Sequence, residues 1–567
     1  MSFEKFMDEC KKIAGSHADL LEIPPKQIAD LALPCFSLGE RPNEKAEHLA
    51  SEFSKKNPSG SLIGDIRAVG PYVNFYINNN KFPALVLSRV LKEKASYGSR
   101  KNRKDKIILE HTSINPSGPI HIGRLRNSII GDSLKRILEF SGYPVETHYY
   151  VNDIGKQIAI IAWGRKKKLK PSPHLKTVYK KYKTKPDFVT MFDYVSAYQA
   201  VEKSAKNMEE VEGILQKCER GSKKELSALK KISKACLAGQ MQMMKKMGIG
   251  FDKFIYESRF IENRSVKKAI SFLKKNKLLT TKDGAATLDL SKYGLRDSVV
   301  LARKDGTSVY LLRDIAYHLD KMKHCDWAIN VLGEDHKVEF QELKTILHNM
   351  FRIRKSFDVV HYSFVNFQGT RLSTRMGQTA PLDMLIDEGV EKATEEIEKR
   401  GKQKPTKKLA EKIAAAAIRY HIIKSDTQKA ITFVWGDALN FEGDSGPCLQ
   451  YTYARARSIL RKAKKRPSRM TTSGRPSDLV LNEEKEVLLV KKLSQFPGLV
   501  DKCAKELKPH HLASYLFSLA SDFNEYYQSV RIIESDNEEA KLALVSATAT
   551  VLKNGMQLLG IDALERM

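Results

Sequence analysis

The sequence has few cysteines, and none of them is arranged as a metal-binding or disulfide pair. The seven cysteines are scattered from position 10 to position 503, and no two of them form a CxxC motif. A chain of 567 residues can bury an apolar core without covalent cross-links. We therefore expect seven buried, reduced thiols, and neither a metal-binding site nor a disulfide framework.

Long apolar runs, internal repeats and low-complexity tracts are missing as well. No stretch approaches the ~20 apolar residues that cross a bilayer. The N-terminal segment MSFEKFMDECKKIAGSHADLLEI carries acids and is typical of an amphipathic helix rather than of a secretory signal. These absences predict a cytoplasmic protein that does not contact a membrane.

Acidic residues are outnumbered by basic ones. The chain has 97 lysines and arginines against 67 acids, a formal net charge of +30. The excess is concentrated in four runs: SRKNRKDK (99–106), GRKKKLK (164–170), KKYKTK (180–185) and RKAKKR (461–466). Scattered lysines can be solvated surface, but several separate clusters favour a long polyanion whose phosphates contact several faces of the protein.

The spacing of apolar residues predicts the order of secondary structure. KIILEH (106–111) is typical of a buried strand, an amphipathic helix follows, and YPVETHYYV (143–151) is typical of the next strand. This βαβ pattern indicates a parallel sheet. Strand signals return in WAINVLGEDH (327–336) and VVHYSFVNF (359–367) and are lost after Leu385, where amphipathic helices run to the C-terminus.

Three domains are predicted from this order. Residues 1–104 form a small α+β N-terminal domain, in which GDIRAVGPYVNFYINNN (64–80) folds as strand, turn and strand. Residues 105–385 form a Rossmann-like α/β domain with a parallel sheet and a charged helical insertion at about 165–245. Residues 386–567 form an all-α domain with a loop at 466–478.

The segment NPSGPIHIGRLRNSIIGD (115–132) joins a Pro/Gly loop to the start of the predicted helix. Such a loop presents backbone N–H groups at a helix N-terminus, where phosphates bind well. Gly118 and Gly123 allow a flat ligand to lie against the backbone. His121 lies outside the apolar face and can donate a hydrogen bond, although an isolated histidine is more often structural. The combined arrangement favours nucleotide binding.

His121-Ile122-Gly123-Arg124 resembles the HIGH signature of class I aminoacyl-tRNA synthetases, and RLSTR (371–375) resembles their KMSKS loop. Longer segments resemble arginyl-tRNA synthetases along nearly the whole chain. In order, they are GPYVNF (70–75), EHTSINPSGPIHIGRLRNSIIGD (110–132), VYLLRDIAYHLDK (309–321), VLGEDHKVEFQEL (331–343) and LQYTYARARSIL (449–460).

The resemblance implies an enzyme that activates L-arginine with ATP and transfers it to the 3′ end of tRNA(Arg). Arginyl-adenylate and pyrophosphate form first, in a step that already requires tRNA in this family. ATP with Mg²⁺ on its phosphates and tRNA(Arg) are then the ligands, and we expect a monomer. The N-terminal domain would contact the tRNA elbow, residues 105–385 would be catalytic, and the helical domain would bind the anticodon.

By the same resemblance, two overlapping sets of residues act on the nucleotide. The catalytic set is His121, Gly123, Arg124, Arg371, Ser373 and Arg375. The ATP-binding set is Ser117, Gly118, His121, Gly123, Arg371, Leu372 and Ser373. Arg124 and Thr374 depart from the family pattern, because a second histidine and a second lysine are usual there. Residues 115–120 contain no compensating lysine, so the arginines of these two segments could supply the positive charge.

Selection of arginine needs carboxylates that receive a planar guanidinium. Asp314 lies one helical turn after Tyr310, so both should face one pocket. The resemblance assigns these two residues and Glu110, at the end of the first strand, to the arginine side chain. The competing interpretation of Asp314 is an ion pair with Arg313 or Lys321.

The remaining assignments from the resemblance concern the other end of arginine and the RNA. Asn115, with either Asp335 or His336, would hold the α-amino end. The predicted RNA-binding residues are Tyr72 and Asn74 in the N-terminal domain and Tyr451, Tyr453, Arg455 and Arg457 in the helical domain. Aromatic faces and cations suit unstacked bases, but helical spacing equally permits buried tyrosines and solvated arginines.

Two alternatives stay open at this point. One is a class I synthetase for another amino acid. A glutamate enzyme should have a basic pocket rather than Tyr310, Asp314 and Glu110, and the cysteine enzymes usually read their substrate with a bound metal. The other alternative is a synthetase-like tRNA-binding protein that has lost catalysis, a possibility raised by Arg124 and Thr374.

Overall fold

A five-stranded parallel sheet organises the middle of the chain. The computed structural model describes residues 2–24, 29–367, 380–401, 405–464, 481 and 483–567. Among them, no helix is long and apolar enough to cross a membrane. All seven cysteines are buried and free, as predicted.

The N-terminal unit is an α+β layer. Its elements are α1 (Ser2–Ala14), β1 (Leu31–Pro34), α2 (Pro42–Lys56), β2 (Ile63–Val69), β3 (Tyr72–Ile77) and α3 (Phe82–Glu93). The strands form an antiparallel sheet in the order β1-β3-β2. Val73, Phe75 and Ile77 are buried on one face of β3, which confirms the predicted strand, turn and strand.

The basic run 99–106 joins this unit to the central sheet, but it is not wholly free for a polyanion. Arg100 forms ion pairs with Asp501, at 2.6 Å, and with Glu4, at 2.8 Å. Part of the run therefore fastens the N-terminal unit to the C-terminal helices rather than facing an RNA.

The strands of the central sheet are β4 (Ile107–Glu110), β5 (Val145–Val151), β6 (Lys253–Tyr256), β10 (Trp327–Gly333) and β11 (Ser356–Tyr362). Their order is β11-β10-β4-β5-β6, with every neighbouring pair parallel. Helix α4 (Leu125–Phe140) connects β4 to β5 and confirms the predicted βαβ unit. Its apolar face is buried through Leu125, Ile129, Ile130, Leu134, Ile137 and Leu138.

The insertion between β5 and β6 is helical, as predicted. It consists of α5 (Lys156–Lys166), α6 (Pro173–Val178), α7 (Pro186–Glu202), α8 (Ala205–Glu219) and α9 (Lys223–Lys246). Helices α7 and α9 pack closely because Gly239 has no side chain. A Cβ there would lie 2.4 Å from the carboxylate of Asp187.

A second excursion between β6 and β10 was not predicted, apart from the helical turn that relates Tyr310 to Asp314. It contains α10 (Ser258–Glu262), α11 (Ser265–Lys275), an antiparallel sheet of β7 (Leu279–Lys282), β8 (Ala285–Leu288) and β9 (Val299–Ala302), and α12 (Tyr310–Lys321). Helix α13 (Lys337–Thr345) then follows β10.

The C-terminal part is mainly helical, with two departures from prediction. The run at 359–367 does not form one strand, because β11 ends at Tyr362 and β12 (Val365–Phe367) leaves the central sheet. Strand β12 pairs in parallel with β13 (Ile431–Phe433), which lies beyond Leu385, where no strand was predicted. The helices are α14 (Leu382–Arg400), α15 (Lys407–Ile423), α16 (Trp435–Ala438), α17 (Gly446–Lys464), α18 (Glu484–Glu506), α19 (His510–Ser529) and α20 (Glu538–Leu558). The predicted loop at 466–478 lies outside the described residues.

Candidate active site and RNA-binding surface

The candidate site lies where β4 ends and its loop leads into α4. Two consecutive residues of that loop, Thr112 and Ser113, have positive φ angles of 71° and 43°. Non-glycine residues rarely adopt this conformation and are strained in it, by about 1–3 kcal/mol each. Helix α4 holds the turn, because Thr112 N donates to Asn127 Oδ1 at 2.6 Å and Thr112 Oγ1 donates to Ser128 at 2.9 Å. Strain held in place at the end of a central strand is a mark of a functional site.

The segment that resembles HIGH is joined by backbone hydrogen bonds to the start of α14. Ile122 N donates to Ala380 O at 3.0 Å, and Leu382 N donates to Ile120 O at 2.7 Å. The KMSKS-like segment, 371–375, ends five residues before Ala380 in the chain. Its predicted site residues Arg371, Leu372, Ser373 and Arg375, together with Thr374, lie outside the described residues.

His121 is half-buried and directly precedes the short 3-10 turn Ile122–Arg124, which leads into α4. Its Nδ1 atom is buried and has no hydrogen-bond partner among the described residues. Burial, and then the positive charge of Arg124, lower the pKa of His121. The imidazole is therefore neutral at physiological pH and can donate one hydrogen bond to a ligand. Gly123 and Arg124 are half-exposed beside it.

Two helices of the insertion fix the loop before His121. Gln157 of α5 accepts hydrogen bonds from Asn115 Nδ2, at 3.2 Å, and from Ser117 Oγ, at 3.0 Å. Gln240 of α9 is fully buried, and its Nε2 atom donates to Gly118 O at 2.8 Å and to Asn115 O at 3.2 Å. Both glutamines were missed, because nothing in the sequence pattern relates them to a loop so far away in the chain.

Glu110 does not offer a free carboxylate to a substrate. Its Oε2 atom lies 2.5 Å from Nζ of Lys321, and its Oε1 atom accepts from Ser113 Oγ at 3.3 Å. Burial opposes ionisation, but Lys321 and then His318 outweigh it, so the pKa of Glu110 lies below its ordinary value. Glu110 is therefore ionised and paired within the protein, and its assignment to the guanidinium stays a prediction.

Asp314 is the carboxylate left without a cation. It is half-buried on α12, and no ion pair or hydrogen bond of its side chain is present among the described residues. The competing ion pairs do not form, because Lys321 binds Glu110 and Arg313 binds Glu219 and Glu257. Burial, and then the charges of Glu257 and Glu110, raise the pKa of Asp314 to about 8.

Further polar atoms near Asp314 have no partner in the part of the chain that the structure describes. The Tyr150 hydroxyl and Glu257 Oε2 are both buried and unbonded. Burial, then Glu257 and Asp314, raise the pKa of Tyr150, whose ring stacks on Tyr317 with centroids 4.7 Å apart. Tyr150 and Glu257 were not predicted as site residues. Their signal was their place at the carboxyl ends of β5, which neighbours β4, and of β6, the strand beyond it.

Tyr310 lies at the start of α12, next to helices of the insertion. Its side chain is 58% exposed at the start of α12, one turn before Asp314. A cavity of about 500 Å³ lies beside it, between α8, the start of α5 and the 303–309 turn. Asp335 and His336 follow β10 at the same edge of the sheet, where both are exposed and lie 3.7 Å apart.

The helical part presents an aromatic and cationic surface. The Arg455 guanidinium lies between the rings of Tyr451 and Tyr527, 4.9 Å and 5.1 Å from their centroids. Tyr451 and Tyr527 are exposed, and with Arg455 they line a cavity of about 420 Å³. Tyr527 was missed because it lies on α19, far from the predicted segment.

Three other predicted RNA-binding residues are buried or already paired and are therefore less accessible to RNA. Tyr453 is buried, which agrees with the competing interpretation. Arg457 forms an ion pair of 2.7 Å with Glu565, so its charge is already neutralised. Asn74 is only 4% exposed on the central strand of its sheet, so this structure does not support a contact with RNA at that position. Tyr72 is half-exposed and packs edge-on against exposed Phe36.

Known proteins are similar to this chain in both sequence and fold. The family described as tRNA synthetases class I (R), catalytic domain, matches residues 86–435, and the DALR anticodon binding domain matches residues 449–567. The arginine–tRNA ligase of Methanocella arvoryzae is 38% identical, over 99% of this chain and 98% of that protein. The arginine–tRNA ligase of Methanocaldococcus jannaschii is 36% identical, over 98% and 97% respectively. The arginyl-tRNA synthetase structure from Thermus thermophilus has a TM-score of 0.79 at 26% identity and covers 100% of this chain and 99% of that one.

Proposed function

Because the chain belongs to the arginine–tRNA ligase family of class I synthetases, we propose that Asp314 is the carboxylate that binds the guanidinium of its arginine substrate. The observation that carries this proposal is the absence of any cationic partner for Asp314 among the described residues, although its neighbours Glu110 and Glu257 each have one. A carboxylate with a pKa near 8 releases its proton readily when a cation arrives.

The donors of a guanidinium match the unbonded acceptors near Asp314. Five N–H groups lie in one plane, and the candidates to receive them are the Asp314 carboxylate, Glu257 Oε2 and the Tyr150 hydroxyl oxygen. A lysine or ornithine ammonium would leave some of these buried acceptors unpaired, so binding alone can reject it. Tyr310, on the turn before Asp314, would cover the side chain. Asn115, and Asp335 or His336, remain the candidates for the α-amino end.

ATP would bind where the Ser117–His121 loop enters α4. Free N–H groups at a helix N-terminus favour the triphosphate. The arginine carboxylate oxygen attacks the α-phosphorus, a new O–P bond forms, and pyrophosphate leaves. Neutral His121 would donate to an α-phosphate oxygen as charge builds there, a contribution that commonly changes such rates by about 10²–10³-fold. Arg124 is half-exposed next to it and would add positive charge.

Magnesium fits this site as a companion of ATP rather than as a resident ion. Among the described residues, no group of three or more histidine, cysteine, aspartate or glutamate side chains could hold a metal. Mg²⁺ commonly binds through substrate phosphates and water, with few protein ligands. We therefore infer that the triphosphate oxygens would hold it, and that it would supply neutralisation of phosphate charge.

The tRNA would contact the helical domain through the exposed Tyr451–Arg455–Tyr527 cluster. Stacking of an unpaired base on an aromatic ring is typically worth about 1–3 kcal/mol. Tyr72 with Phe36 would be a second contact, and the basic insertion a third. In this proposal tRNA(Arg) is required already for adenylate formation, and the enzyme acts as a cytoplasmic monomer.

Aminoacylation of total tRNA with each labelled amino acid tests the activity directly. ATP–pyrophosphate exchange with arginine, in the presence and absence of tRNA, then tests the first step. We expect charging with arginine alone and exchange only when tRNA is present. Exchange without tRNA would overturn the tRNA requirement. Salt-sensitive tRNA binding without any charging would identify a protein that has lost catalysis.

A further inference from the structure

The helical insertion contacts both segments that flank the proposed nucleotide site. At one end it contacts α14, whose start is bonded to the residues around His121. At the other end it holds the carbonyl of Gly118. We propose that Lys185 is a positioning residue for the first reaction step: it fastens the insertion to α14 and so fixes the geometry around the nucleotide. This inference rests on the proposed function.

Lys185 lies immediately before α7 and joins two buried carboxylates. Its Nζ atom is 2.7 Å from Asp383 Oδ1, on the first turn of α14, and 3.0 Å from Asp187 Oδ2. The side chain of Lys185 is 11% exposed, that of Asp383 is 3% exposed and that of Asp187 is 0% exposed. Desolvation offsets much of the attraction in a buried ion pair, so in this proposal the contribution of Lys185 is to fix a geometry rather than to stabilise the fold. Without the shared ammonium, the two neighbouring buried carboxylates cannot both stay ionised, and the geometry that it holds is lost.

The contact continues from Asp187 to the loop before His121. Asp187 packs against Gly239 on α9, where a Cβ would lie 2.4 Å from the carboxylate. The next residue, Gln240, donates to the carbonyl of Gly118. The start of α14 is therefore connected to the nucleotide loop by one short series of contacts, which runs from Asp383 through Lys185 and Asp187 to α9.

The outer side of the same insertion is basic and exposed. The run at 164–170 and the residues just before Lys185 carry lysines on the surface. Lys181 and Tyr182 also contact Asp387, one turn further along α14. When tRNA phosphates bind this surface, they stabilise the insertion, and the ion pairs of Lys185 extend that stabilisation to the start of α14. Bound tRNA can therefore promote the first step without any direct contact between the RNA and ATP.

The test is Lys185→Gln in the full-length chain, assayed by ATP–pyrophosphate exchange at saturating tRNA. A misplacement of about 1 Å can lower a rate by about 10²-fold, so we expect kcat to fall by that order. KM for arginine and ATP, Kd for tRNA and the salt dependence of tRNA binding should change by less than about twofold, because Lys185 is buried. Lys185→Arg should recover part of kcat. Lys203→Gln, an exposed lysine at the far end of α7, should match the wild type.

A normal kcat in folded Lys185→Gln would overturn the inference. So would a normal kcat with weaker, less salt-dependent tRNA binding, which would identify Lys185 as a phosphate contact. If Lys185→Gln does not fold, Asp383→Asn keeps the Lys185–Asp187 pair and is measured in the same way, with a normal kcat again contradicting the proposal. If the wild type catalyses exchange without tRNA, the proposed tRNA requirement is wrong. The role of Lys185 is still tested in that case, because the kcat of its variants can be compared with that of the wild type.

Discussion

Lys321 Nζ lies 2.5 Å from Oε2 of Glu110, and both residues are buried, at 1% and 7% exposure. Lys321 also donates to Asn330 on the neighbouring strand, at 2.9 Å. This pair neutralises the acid at the end of the central strand and leaves Asp314 as the carboxylate that needs an external cation. The selectivity of the pocket thus depends on which acids are already paired.

Lys321→Met should destabilise the protein strongly, because it leaves Glu110 charged, buried and unpaired. Breaking such a pair typically costs about 3–5 kcal/mol, which would appear as a lower urea midpoint of unfolding. The double variant Glu110→Gln, Lys321→Met removes both charges and should recover most of that loss. A single variant with a wild-type midpoint would show that the pair is not formed in solution.

Arginine affinity should depend on the protonation of Asp314. With a pKa of about 8, raised from an ordinary 3.8, the free enzyme carries a proton there at pH 7. Guanidinium binding expels it, so affinity should rise about tenfold per pH unit well below pH 8 and level off above it. Calorimetry in buffers of different ionisation enthalpy should detect proton release. Binding without proton release at pH 6.5 would contradict this assignment.

The raised pKa of Asp314 also makes the stability of the ligand-free enzyme depend on pH, and here the effect has the opposite direction: stability falls as the pH rises. The folded state keeps a proton that the unfolded chain loses near pH 3.8, so this group favours folding less and less as the pH rises from about 4 to about 8. Asp314→Asn should therefore raise the melting temperature of the ligand-free enzyme at pH 8 more than at pH 4. A lower melting temperature at pH 8 would mean that Asp314 has a stabilising partner.

Gly131→Ala tests how α4 supports the strained turn. A Cβ at Gly131 would lie 2.1 Å from the ring of His111, which is itself buried beside Thr112. We expect severe destabilisation, because neither the helix nor the ring can move away. Gly213→Ala on α8 is the matched control: nothing lies within 4 Å, so the change should stabilise by about 0.5–1 kcal/mol. Equal melting temperatures of the two variants would contradict this packing.

Tyr527→Ala should weaken tRNA binding by about 1–3 kcal/mol if its ring stacks on a base. Tyr527→Phe keeps the ring and should retain most of the affinity. Exchange at saturating tRNA should stay near wild type in both variants, because the proposed contact contributes to tRNA binding, which is then saturated. Unchanged KM for tRNA in Tyr527→Ala would remove this cluster from the RNA-binding surface.

The sequence was informative where local pattern and tertiary structure agree. The periodicity of α4 and the apolar runs of β4, β5 and β10 are set by burial, so the βαβ unit and the parallel sheet were predictable. The strand at β13 was not, because three residues carry no periodicity and it exists only through its pairing with β12. The small sheet of β7, β8 and β9 was missed because β7 is polar and mostly exposed and each strand is only four residues long, too short for a clear apolar alternation.

Pairing between distant side chains was the part of the site that sequence could not supply. Glu110 and Asp314 look equivalent as acids in a sequence, and only the fold shows that Lys321 binds the first. Gln240, Tyr150 and Glu257 reach the site from other elements and carry no motif of their own. Tyr453 and Arg457 show the reverse case, since stacking-type residues were predicted there and the fold buries one and pairs the other.

The most direct test of the proposed pocket is calorimetric binding of L-arginine and of ATP to the wild type, Asp314→Asn and Asp320→Asn. Asp320 lies on the same helix but pairs with Arg259, away from Asp314. We predict that Asp314→Asn loses arginine affinity by more than about tenfold, equivalent to about 1.4 kcal/mol, while its ATP affinity and both affinities of Asp320→Asn stay within about twofold of wild type. Equal arginine affinity in Asp314→Asn and the wild type would contradict the assignment of the guanidinium to Asp314.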